Sequence, residues 1–159
     1  MNPPSTTIFD ALSGIPNAAQ PLPNLVTGGQ PTEAQLEAFR AAGGQVVLDI
    51  RAPREPRPLD ETAVTRRLGL EYQVIPVVAG ATSEATLEQI LAALRNAQDR
   101  PTLFHCASGN RVGAALIPYF VLDQGMDEED AVQQALRIGL TSHELMAWGL
   151  DYTRRQQMG

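Results

Sequence analysis

The sequence predicts an α/β fold, with a central, mostly parallel sheet and helices on its faces. Three observations predict it. Short apolar runs of strand length alternate along the chain with longer segments whose apolar residues recur at helical spacing, the pattern of parallel strands joined by helices. Most of the longer segments open on a residue that caps helices. One apolar strand, Pro101-Thr102-Leu103-Phe104, runs straight into His105-Cys106 and a small-residue turn that leads into a further helix.

The elements follow in order. Residues 1–24 hold five prolines and no sustained period, which reads as an irregular N-terminal arm lying on a single domain of residues 25–159. Thr32-Glu33-Ala34-Gln35 is a capping box behind Pro31 and opens a helix that ends near Gly43. Val46-Val47-Leu48-Asp49-Ile50 reads as a strand. A loop rich in proline and arginine runs from Arg51 to Pro58, and Asp60 starts a short helix that reaches Arg67. Tyr72-Gln73-Val74-Ile75-Pro76 is the next strand. Leu87, Ile90, Leu91 and Leu94 stand at i, i+3, i+4 and i+7, so residues 83–97 form an amphipathic helix. Helices over 111–124, 127–138 and 141–155 complete the chain, the last behind a second capping box, Thr141-Ser142-His143-Glu144. Ligands of such sheets bind beyond the carboxyl ends of the strands, where the loops 51–60 and 77–83 and the cysteine loop converge.

Composition narrows the chemistry. A chain of 159 residues suits one domain. Its net charge is −6, all twelve basic residues are arginine, and none form a run, which argues against nucleic acid or an anionic membrane as the main partner. No apolar stretch reaches the roughly 18 residues of a membrane span. The first residues lack the basic and apolar regions of a signal peptide. One cysteine permits neither an intramolecular disulfide nor a multi-cysteine zinc site. A reducing cytoplasm is the expected location, and no metal or organic cofactor is implied.

The reactive element is the loop His105-Cys106-Ala107-Ser108-Gly109-Asn110-Arg111. Gly109 permits a tight turn whose amides at 107–110 point inward as an anion nest. The helix that follows adds its positive end. Arg111 offers a planar fork of donors that matches an oxyanion. The same three features favour a thiolate at Cys106, so one loop activates the nucleophile and binds the substrate. His105 is expected to orient the loop in preference to acting as general base, and Ser108 is either a turn residue or a hydroxyl donor to the sulfur. Arg51, Arg54 and Arg57 either steer anions into the site or belong to a solvated loop.

The loop resembles the signature of cysteine-dependent tyrosine and dual-specificity phosphatases, and more closely that of the bacterial phosphatase-like domains named after beta-lactamase hydrolase-like proteins. Thr27-Gly28-Gly29-Gln30-Pro31-Thr32, Val46-Val47-Leu48-Asp49-Ile50-Arg51 and Ile75-Pro76-Val77 resemble that family's earlier blocks, in the same order, and the likeness covers roughly residues 25–125. It implies a phosphatase-like fold, with Cys106 as nucleophile, Arg111 as oxyanion ligand and the loop amides around the bound group. Three departures stand out. Only Ala107, Ser108, Gly109 and Asn110 separate the cysteine from the arginine, one residue fewer than in the standard phosphatase loop and the spacing of rhodanese-type sulfurtransferases. Val112 stands where phosphatases carry a serine or threonine. Residues 77–82 contain no aspartate, the common general acid of that loop. Glu55, Asp60 or Glu84 could supply the proton from a neighbouring loop; the alternative for each is a solvated or capping carboxylate. The expected function is a cysteine-dependent phosphatase acting on a phosphorylated protein or a small anionic substrate. The alternatives are a sulfurtransferase carrying a Cys106 persulfide and a non-catalytic phosphate-binding module.

Overall fold

The structure, a computed structural model, describes residues 6–159. Its strands are β1 (Ala19–Leu22), β2 (Leu25–Gly28), β3 (Val46–Asp49), β4 (Glu71–Val74) and β5 (Thr102–His105), in the sheet order β1-β2-β5-β3-β4. β2, β5, β3 and β4 run parallel, and β1 joins β2 as an antiparallel edge. The helices are α1 (Ile8–Leu12), α2 (Glu33–Ala41), α3 (Glu61–Leu68), α4 (Glu84–Ala97), α5 (Asn110–Pro118), α6 (Glu128–Ile138) and α7 (His143–Met158). This is the α/β architecture expected from the sequence, with helices on both faces.

Alternation along the strands divides the interior in two. Val47, Val26 and Leu103 face one side and pack with Leu12, Leu36, Phe39 and Val64 of α1, α2 and α3. Val46, Leu48, Leu25 and Phe104 face the other and pack with Leu87, Ile90, Leu116, Ala135 and Trp148 of α4 to α7. Both faces of the inner strands β2, β5 and β3 are covered, and all four residues of each are buried, whereas those of the edges β1 and β4 are half-buried or exposed.

The caps explain most helix starts. Thr32 and Gln35 exchange hydrogen bonds as the predicted box, and Asp60, Ser83 and Asp127 accept from the amide three residues on. Three expectations are corrected. First, the segment read as an irregular arm contains α1 and β1. Both are too short to show a period, and Pro21 is tolerated within β1 because that strand is an edge; residues 1–5 lie outside the described residues. Second, the cap of α7 is Ser142, one residue later than the box placed it, because Thr141 is bonded to Asn110 instead.

Third, the helix read over 111–124 is α-helical only to Pro118, then widens into a π-helical turn over Tyr119–Asp123. Pro118 has no amide proton to donate to the carbonyl of Ala114. Gly149 of α7 crosses at that carbonyl so closely that a Cβ there would lie 2.4 Å from the oxygen. The contact brings α7 against the helix that begins at the cysteine loop.

Candidate active site

β5 leads into Cys106, the candidate nucleophile. Its ladder continues one bond past the strand, from the Cys106 amide to the Gly28 carbonyl (3.1 Å), and the chain then turns through Ala107 to Gly109 into α5. Gly109 has φ +100°, and a Cβ on it would meet the Ile138 carbonyl at 2.5 Å, so only glycine fits. Its amide donates to Cys106 Sγ at 3.1 Å.

The loop is clamped from both flanks. The Ala107 carbonyl accepts from the Gln30 amide (3.1 Å), and the Ser108 carbonyl accepts from Nδ2 of Asn17 (2.6 Å). Asn17 itself holds a left-handed conformation, φ +52°. On the other flank Asn110 Oδ1 accepts from the amides of Thr141 (2.9 Å) and Ser142 (3.3 Å), which ties the start of α7 to the start of α5. Binding these carbonyls outward is what turns loop amides toward the sulfur.

Arg111 is held as a fork with one free edge. Nη1 donates to Glu55 Oε2 (2.6 Å) and the Val77 carbonyl (3.1 Å), and Nη2 donates to Glu55 Oε1 (2.8 Å). A guanidinium has five N–H groups, and among the described residues Nε–H and one Nη2–H have no oxygen acceptor, on a group that lies against the Cys106 sulfur. The Glu55 hydrogen bonds raise the affinity of Arg111 for its proton against the opposing effect of burial, and the nearby Cys106 sulfur adds to the rise. In return Arg111, outweighing burial, holds the Glu55 carboxyl down to about 2.

Behind the loop lies a buried polar cluster that the sequence did not reveal. His105 is fully buried, with Nδ1 at 3.1 Å from the Cys106 carbonyl and Nε2 at 2.6 Å from Glu61 Oε2. Both ring nitrogens are placed against oxygen acceptors, a backbone carbonyl on one side and a carboxyl on the other. His105 thus ties the backbone of Cys106 to α3. Asp49 Oδ2 accepts from Arg57 (2.5 Å) and from the Tyr72 hydroxyl (2.6 Å). Burial first, then that bond to Asp49, pushes the Tyr72 phenol well above its usual range. Asp49, Glu61 and His105 bring their ligand atoms within 4.8 Å of one another. The cation between the two carboxylates is the Arg57 guanidinium, 3.3 Å from Glu61. Arg51 is also internal, bonded to Gln30, Glu55 and the Pro56 carbonyl. Of the three loop arginines only Arg54 is exposed, so the cluster shapes the loop and leaves one charge on its surface.

A cavity of about 510 Å³ opens above the loop, lined by Arg111, Ser108 and Asn110, by Glu55 and Ala52, by Val77 to Ala79, and by Ser142, Glu144 and Leu145. Cys106 is 1 % exposed and lies beneath it, against Arg111. Among the described residues the Ser108 hydroxyl makes no bond to Sγ; the Gly109 amide does. Val112 is buried and apolar. The three candidate carboxyls are otherwise engaged, Asp60 in its alternative role as a helix cap. Glu55 is ionised on Arg111, Asp60 caps α3, and Glu84 pairs with Arg155. Glu144, missed in the sequence because it read as part of a cap, lines the cavity.

Comparison with known proteins agrees with this geometry. The chain is 29 % identical over 117 residues to a beta-lactamase hydrolase-like protein of Xylella fastidiosa; the match covers 70 % of this chain and spans about a quarter (27 %) of that relative's length. A DUF442 protein of Shewanella putrefaciens CN-32 superposes with a TM-score of 0.79 at 23 % identity, covering 92 % of this chain and 97 % of its own. TpbA of P. aeruginosa, in a complex with pTyr, superposes with a TM-score of 0.68 at 20 % identity, covering 87 % and 83 %. At these identities the two structures establish the fold, which is that of the tyrosine and dual-specificity phosphatases. Residues 17–147 match a family model across most of the chain, and this protein belongs to that family, described as DSP-PTPase phosphatase fused to NAD+ Kinase.

Proposed function

We propose that the protein is a cysteine-dependent phosphatase that hydrolyses phosphate monoesters. The observation that supports it best is the free edge of Arg111, held by Glu55 and Val77 beside the Cys106 sulfur at the base of one cavity. Substrate phosphate draws that edge onto two of its oxygens, and loop amides at 107–110 bind the rest. Sγ attacks phosphorus in line, and the bond to the ester oxygen breaks. Water then cleaves the S–P bond, returning thiolate and inorganic phosphate. A reducing cytoplasm would keep Cys106 available. The pTyr bound by TpbA favours an aryl ester, from a phosphoprotein or a small molecule.

A second reading is favoured by one observation, the four-residue spacing from Cys106 to Arg111. It is a sulfurtransferase in which Cys106 takes the outer sulfur of a thiosulfate-like donor, releasing sulfite, and passes it to an acceptor. Parallel assays on the purified chain, with an aryl phosphate and with thiosulfate plus cyanide, separate the two. The expected result is phosphate release that Cys106→Ser abolishes and a mass increase of one phosphoryl group on quenched Cys106. Thiocyanate production, with Cys106 heavier by one sulfur, would replace the phosphatase reading with the other. Phosphate binding with neither turnover would leave a binding module.

A further inference from the structure

Resting on the phosphatase reading, we infer that Glu144, at the start of α7, is the proton donor to the leaving group. The chemistry needs one: expulsion of an aryl or alkyl oxygen is assisted by protonation, typically by 10²–10⁴-fold. The loop 77–82 contains no acid. Glu55 cannot serve while Arg111 holds it ionised, and Asp60 and Glu84 are committed to a helix cap and to Arg155.

Glu144 supplies a carboxyl at the missing position from another part of the chain. Its Oε1 accepts from the Gly80 amide at 3.0 Å, a contact 64 residues apart in sequence, on the very loop that lacks the acid. Gly80 has φ +81°, a conformation that favours glycine. Among the described residues Oε2 makes no hydrogen bond, so one oxygen anchors the side chain and the other is free to carry a proton. Two independent contacts fix α7 in this place. Asn110 binds the amides of Thr141 and Ser142, and Trp148 Nε1 donates to the Ser83 carbonyl at 2.8 Å. The carboxyl therefore shares one cavity with Arg111 and Ser108.

The proton balance closes over the two steps. As the P–O bond breaks, its electron pair goes to the ester oxygen, which takes the Oε2 proton and leaves as the alcohol. Glu144, now a carboxylate, accepts a proton from the water that attacks the cysteinyl phosphate, and is ready for the next turnover.

The test uses the parent chain, Glu144→Gln and Glu144→Asp, with phenyl phosphate and 2,4-dinitrophenyl phosphate. Glutamine keeps an acceptor for the Gly80 amide but has no proton to give. Glu144→Gln should lose phenyl phosphate turnover by about 10²–10⁴-fold with KM little changed, while dinitrophenyl phosphate, whose leaving group needs no proton, falls only a few-fold. Glu144→Asp, a shorter acid, should recover part of the loss on the phenyl ester. Thermal unfolding of each variant identifies any loss of fold. An equal loss on both esters, or none on either, would overturn the role of Glu144 and leave the phosphatase reading standing. A parent chain that hydrolysed neither ester would overturn that reading and this inference with it.

Discussion

Two side chains of the site were legible at the level of the single residue because their chemistry is local. Cys106 and Arg111 lie on one short loop between an apolar strand and a helix, and that context singles out both as candidates. Glu55 was not legible, because the meaning of a carboxylate depends on what it touches. Its partner is 56 residues away. The same holds for Glu61, whose partner His105 is 44 residues away; in sequence it is one more acid after a capping residue. A prediction follows for Glu55. Its pKa falls from an ordinary 4.5 to about 2, chiefly through the bond to Arg111, so the ion pair stabilises the fold at pH above the ordinary value. That contribution is lost as pH falls through the folded value. The urea midpoint of the parent should exceed that of Glu55→Gln near neutrality, and the gap should close between about pH 5 and pH 2. A gap that stayed constant over that range would mean that the carboxylate charge adds no stability.

At the scale of the element, the predicted helices and the β3, β4 and β5 strands stand close to where period and caps placed them. Failures came where the signal of an element is ambiguous. All five strands have four residues; β3 and β5 stand out by their apolar runs, whereas β1 contains a proline and β2 ends in Thr27-Gly28. The break in the helix after Pro118 is local chemistry, a missing amide proton, and Gly149 meets the carbonyl to which Pro118 cannot donate. That contact can be tested. Gly149→Ala places a methyl against backbone that cannot move aside, and overpacking of this kind costs about 1–3 kcal/mol, more than alanine gains as a helix former. The variant should unfold at lower urea. Its turnover should also fall, because α5 begins with Arg111 in its first turn and α7 with Glu144. Unchanged stability would show that the two helices separate freely at the crossing.

For the whole molecule, the fold class was legible because alternating strands and helices leave few arrangements for a chain of this size. The order of the strands was not, since parallel pairing leaves no local mark. β5 takes the central position, bonded to β2 on one side and β3 on the other, with Leu103 and Phe104 fully buried. Its amides should therefore exchange with solvent only on global unfolding, whereas those of the edges β1 and β4 exchange through local opening. Hydrogen exchange read by mass spectrometry or NMR checks this, and equal rates for β5 and the edges would contradict it.

The same strand order sets a sequence in time. Without β5 the sheet is two separate pairs, β1 with β2 and β3 with β4, and such two-stranded ribbons are marginal in water. A chain emerging from the ribosome completes both pairs long before residues 102–105 exist. The last strand to be made joins the halves, and the bond from the Cys106 amide to the Gly28 carbonyl forms only then. In the nascent chain the cysteine stands apart from its later neighbours; the step that completes the scaffold also brings the Gly109 amide and Arg111 against its sulfur.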